Sequence, residues 1–126
     1  MILLTSLAAC SSQAAAPFGA GICWRRLEVA DEKPRFEIVG QDVPNLESCA
    51  ARLEGARMME GRSISGAYNG HFIFATEEQI TSARGMDGAR IRVFEAEDRR
   101  EVQAGLRVLI ERQAALASRE PTSSTD

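Results

Sequence analysis

The sequence predicts an α+β domain of two layers, a mainly antiparallel sheet of four or five strands with helices on one face. Three observations lead there. Short runs rich in β-branched and aromatic residues come in pairs joined by turn residues, around Asp31 to Pro34 and at Asn69 and Gly70. An apolar set recurs at spacings of three and four between positions 46 and 56. A second such set runs from 102 to 116. At 126 residues, 44% of them apolar, the chain supports one core and not two.

Ile22 to Val29 and Arg35 to Val39 alternate apolar with charged residues, and Asp31, Glu32, Lys33 and Pro34 supply the turn of a first hairpin. Cys23, Leu27 and Val29 share one face of the first strand, and Phe36 and Ile38 one face of the second; both faces are expected to meet the core. Leu46, Cys49, Ala50, Leu53 and Ala56 then mark a helix that Asn45 caps and Gly61 ends. Ser63 to Tyr68 and His71 to Ala75 form a second hairpin, because Asn-Gly tolerates the two positive φ angles of a type I′ turn. One long strand bent at Gly66 and Gly70 is the alternative. Thr76 and Gln79 have capping-box spacing for a short helix ending near Gly85. Arg90 to Phe94 alternate as a strand, and Asp98 with Glu101 opens a final helix of about twenty residues whose face is Val102, Leu106, Leu109, Gln113 and Leu116. The second face of the sheet is expected to be polar, with Arg26, Glu28, Arg35, Glu37, Arg90 and Arg92 outward.

At the amino end, MILLTSLAACSSQAAA passes from apolar to small residues and reaches a cysteine at position 10. Leu7, Ala8, Ala9 and Cys10 resemble the lipobox of bacterial lipoproteins. The resemblance implies a signal peptide over 1–9 and a palmitate-bearing, acylated Cys10 as first mature residue, partnered with the bilayer through its lipid. Ser11 after the cysteine goes, in that class, with transport to the outer membrane, on its periplasmic face. A cut among Ala14 to Ala16, before Pro17, would instead release a soluble periplasmic protein, and a cytosolic chain with an ordinary first helix is a third possibility. Residues 10–21, rich in Ala, Pro and Gly, are expected to be a flexible tether, 22–117 the folded domain and 118–126 a polar disordered tail. No apolar run approaches the roughly 18 residues of a membrane-spanning helix.

With Cys10 assigned to lipid, Cys23 and Cys49 are an even pair in an exported chain, and a disulfide is the economical expectation. A helix lying on the first hairpin would bring Cys49 over Cys23. Zinc held by Cys23, Cys49 and the lone His71, or a thiol paired with His71 as nucleophile, are the alternatives; neither has a second ligand pair or a signature spacing. No catalytic residue, metal or cofactor is therefore assigned.

A net charge of -3 gives no field that would gather nucleic acid, and the glycines match neither GxGxxG nor a P-loop, which argues against nucleotide. Gly66 to His71 is a cluster of flexible backbone, phenol, amide and imidazole that turn geometry alone also explains. Ile22 and Trp24, beside Arg25 and Arg26, form an apolar spot suited to a partner; packing of Trp24 under the tether near Phe18 is the structural alternative. Ile22, Trp24, Tyr68 and His71 are accordingly the candidate contacts. The function expected is a membrane-tethered, noncatalytic interaction or accessory subunit of an envelope complex, with a soluble periplasmic thiol, redox or other enzyme as the alternative.

Overall fold

The computed structural model describes residues 16–119; the predicted signal peptide, Cys10 and residues 120–126 lie outside them. In chain order the elements are β1 (Cys23–Leu27), β2 (Arg35–Gly40), α1 (Leu46–Glu60), β3 (Ile64–Tyr68), β4 (His71–Ala75), β5 (Ile80–Ala83), β6 (Ile91–Arg92) and α2 (Ala96–Arg119). The strands form a six-stranded sheet in the order β2-β1-β3-β4-β5-β6, every neighbouring pair antiparallel. The fold is α+β, with six strands where four or five were expected.

The two strongest local signals act as the sequence predicts. Asn45 Oδ1 accepts the Ser48 N–H at 2.8 Å, and Gly61, at φ 68°, closes α1 by donating its N–H to the Arg57 carbonyl at 2.7 Å. Asn69 and Gly70 adopt φ 47° and 78° between β3 and β4, so the chain is a hairpin there and not one bent strand.

Thr76 and Gln79 do not open a helix. Gln79 N–H donates to Thr76 Oγ1 at 3.2 Å and Thr76 Oγ1 donates to the Gln79 carbonyl at 2.9 Å, closing a turn from β4 into β5. The same side-chain bond that caps a helix also stabilises a turn, and the residues that follow, Ile80 and Thr81, are β-branched. The first hairpin also differs. Its register pairs Trp24 with Ile38 and Arg26 with Phe36, so Phe36 and Ile38 lie on the face opposite Cys23. A bulge between Cys23 and Trp24 then lets Cys23 stand opposite Gly40.

The core on the α1 face contains Cys23, Val43, Cys49, Ala50, Leu53, Ile64, Tyr68, Ile73 and Ile80. The second face is not polar, as expected, but carries a smaller aromatic cluster. Phe72 stands 6.4 Å from Phe36 and 6.3 Å from Phe74, ring centre to ring centre, and the Arg90 guanidinium lies 4.0 Å over the Phe74 ring. Ala16 packs against this cluster and Val43 N–H donates to the Gly21 carbonyl at 2.8 Å, so residues 16–21, placed in the tether by the sequence, contact the domain.

Two cross-links hold the helices. Cys23 and Cys49 are joined by a disulfide, Cα to Cα 5.3 Å, both fully buried, tying α1 to β1. Glu54 of α1, also fully buried, accepts hydrogen bonds from Arg57, from Arg99 Nε of α2 at 2.6 Å and from Gln103 Nε2 at 3.4 Å. Arg99 further donates to the carbonyls of Thr76 and of Glu77, joining the first turn of α2 to the β4–β5 turn. Burial pushes the Glu54 carboxyl up, but the hydrogen bonds from Arg99 and Arg57 outweigh it and hold the carboxyl below its ordinary range.

Replacing both cysteines in Cys23→Ser/Cys49→Ser is expected to lower unfolding stability by about 3.5 kcal/mol, the loop-closure value for their separation, measured by urea titration. Glu54, with its folded pKa depressed, contributes stability above the ordinary glutamate range that is lost as pH falls through the folded value. Glu60, held down to about 2 chiefly by Arg25, acts in the same direction. Glu54→Gln is therefore expected to cost about 3 kcal/mol at neutral pH and to flatten the acid limb of the stability profile relative to wild type. An unchanged acid limb contradicts the assignment.

Candidate functional site

Register decides which side chains gather at the Asn69–Gly70 end of the sheet. Tyr68 pairs with His71, Ile73 with Ser82 and Ser82 with Ile91, so these residues share the α1 face, and parity places Arg84 there too, beyond the end of β5. Leu46, in the first turn of α1, stands beside them. They line a cavity of about 510 Å3, completed by Asn69 and by the Gly88–Ala89 segment before β6. That volume is in the range of small-molecule sites, roughly 300–1,000 Å3.

The walls are mainly apolar, and the polar groups differ in their engagement. Tyr68 is nearly buried and its hydroxyl donates to the Val43 carbonyl at 2.6 Å, so the phenol fastens the β2–α1 connection. Ser82 is 9% exposed, and its hydroxyl has no hydrogen-bond partner among the described residues. The His71 imidazole and the Arg84 guanidinium likewise have no hydrogen-bond or ion-pair partner there. No aspartate or glutamate lines the cavity.

A second depression, at the opposite end of β1 and β3, is lined by Arg25, Arg26, Glu28 and Arg62. Its cations are engaged. Arg25 makes a two-pronged bond to Glu60 at 2.5 and 2.7 Å, Arg62 meets the same carboxylate at 3.1 Å and Arg26 meets Glu28 at 2.9 Å. The adjacent arginines 25 and 26 point to opposite faces of the sheet, so they do not form one basic patch.

The four candidate contacts do not converge. Tyr68 and His71 stand at the cavity; Trp24 is on the opposite face, half-buried, with its indole Nε1 enclosed and without a hydrogen-bond partner among the described residues. Trp24 is thus not the exposed spot that the sequence suggests. Ile22, also half-buried, precedes β1 and donates its N–H to the Gly19 carbonyl. Cys23 and Cys49 are joined to each other and not to His71 or a metal, and among the described residues there is no group of three or more potential metal ligands.

Sequence reasoning missed Leu46, Ser82, Arg84 and Ile91 as neighbours of His71. A misassigned helix over Thr76 to Gly85 hid two of them. Once Ile80 begins a strand, a period of two puts Ser82 and Arg84 on its core-facing side. The glycine that opens the 66–71 cluster has a packing role. A Cβ at Gly66 would stand 2.0 Å from the Trp24 carbonyl oxygen and 2.8 Å from Leu53 Cδ1. No family model matches the chain, nor does any curated protein or solved structure.

Gly66→Ala is expected to destabilise the fold by about 3 kcal/mol or more, because backbone cannot retreat from the added methyl as a flexible side chain would. Gly61→Ala, where nothing lies within 4 Å of the added carbon, should cost only the αL penalty of about 1 kcal/mol. Equal midpoints for the two variants in thermal or urea unfolding would contradict the packing role.

Proposed function

We propose that the chain is an exported, lipid-anchored binding protein facing the periplasm at the outer membrane, where it serves as a noncatalytic accessory subunit of an envelope complex. The observation that carries this reading is the Cys23–Cys49 disulfide with both cysteines fully buried. A disulfide in a small domain fits an oxidising compartment, and sulfurs without solvent access suit a staple better than thiol exchange. The lipobox resemblance at Leu7 to Cys10 supplies the anchor in this reading. Val108, Leu109 and Leu116 on α2 are each more than half exposed, which supports a protein partner in this reading.

Labelled palmitate supplied to bacteria expressing the full chain is expected to enter the protein, to be lost in Cys10→Ala, and to fractionate with outer membranes. Recovery of the unlabelled chain in the cytosol with Met1 retained and both core thiols reduced would overturn the reading.

A further inference from the structure

The cavity at the end of the second hairpin exists because α1 covers only part of the sheet. The helix is fastened over β1 by the disulfide and over β3 by Leu53 against Gly66, while β5 and β6 reach beyond it. Ile91 of β6 is left 69% exposed at the cavity wall, an apolar side chain for which the domain supplies little cover.

Beside this apolar wall stand donors that the protein leaves unused. Six of the fourteen arginines, Arg25, Arg26, Arg57, Arg62, Arg92 and Arg99, meet a carboxylate. At the cavity Arg84 meets none, no acid lines the walls, and the chain as a whole carries more acids than bases. Ser82 adds an independent observation. The residue is 9% exposed and lines the cavity, and its hydroxyl has no partner among the described residues. The enclosed, unpartnered side-chain atoms among the described residues are Trp24 Nε1 and Arg25 Nε, so the Ser82 hydroxyl keeps access to solvent and is available to a ligand oxygen. The His71 imidazole, on the neighbouring strand and the same face, carries a further N–H whichever tautomer it adopts.

We infer that this cavity is a binding site for a small amphiphilic carboxylate, an aliphatic or aryl acid. Its apolar body lies against Leu46 and Ile91, and its carboxylate accepts hydrogen bonds from Arg84, His71 and Ser82. An apolar body without the anion would leave these donors unanswered, and an anion without the body would leave the apolar wall open to water. The site goes beyond the interaction role proposed above and does not depend on export or on the lipid.

Octanoate and octanol, equal in chain length and differing in charge, are suitable probes. Each is titrated separately into the 15N-labelled full chain, following the amide signals of His71, Ser82, Arg84 and Ile91. Octanoate is expected to give saturable shifts centred on these residues, with octanol binding about tenfold or more weakly, the factor expected of charge-assisted hydrogen bonds. Arg84→Gln should reduce octanoate binding to the level of octanol while leaving octanol unchanged; Arg84 is exposed and unpaired among the described residues, so the variant keeps the fold, verified by its amide spectrum. Ser82→Ala should weaken octanoate by a smaller factor. Shifts that fail to saturate or that centre elsewhere, equal affinity for the two probes, or an Arg84→Gln variant that binds octanoate as wild type does, would each overturn the site.

Discussion

The placement of α1 across β1 and β3 is the constraint on which the rest of the molecule depends. A helix comes this close to a strand only where the strand offers no side chain, and Gly66 provides the opening that Leu53 fills. The disulfide fixes the same helix a turn earlier, at Cys49, and Tyr68 secures the approach to it through the Val43 carbonyl. With α1 set in this way, both its reach and its limit follow. It seals the middle of the sheet into a core and leaves the β5–β6 side open at the Asn69–Gly70 end, where the cavity lies.

The charges fall into two kinds of region. Glu54 and Glu60 each gather two guanidinium groups, and the pairs with Arg99 and Arg25 tie helix to helix and helix to strand. Glu54 is the costlier arrangement, since a fully buried carboxylate is tolerable only while its hydrogen-bond donors remain in place. The cavity is the converse, with a guanidinium present and no carboxylate among its lining residues.

Features governed by adjacent residues were legible in the sequence. The caps of α1 at Asn45 and Gly61, the turn at Asn69 and Gly70, and the pairing of Cys23 with Cys49 all rest on local geometry or on a count of cysteines. Features set by register were not. Whether Phe36 and Ile38 face the same side as Cys23 depends on which residues pair across a long loop, and a shift of one residue reverses the answer. The polarity of the second face was misjudged for that reason, because Phe72 and Phe74 meet Phe36 there. Thr76 and Gln79 exposed a different limit, since one side-chain bond serves both a helix start and a strand turn. That ambiguity concealed β5, and with it half of the candidate site. Burial of Glu54 was illegible too, as nothing in its own helix announces Arg99, 45 positions away.

The attachment of α2 has a mechanical consequence. Within this helix of 24 residues only Arg99 is buried; Val102, Gln103, Leu106 and Ile110 are half covered, and 111–119 are exposed throughout. The element is held like a mast stepped at its foot: firm where Arg99 grips Glu54 and the β4–β5 carbonyls, unsupported by the described domain toward its tip. Its outer turns can fray and reform without opening the core, so their local stability is set apart from that of the sheet. Any body that grasped the tip would exert its leverage on the buried carboxylate at the base.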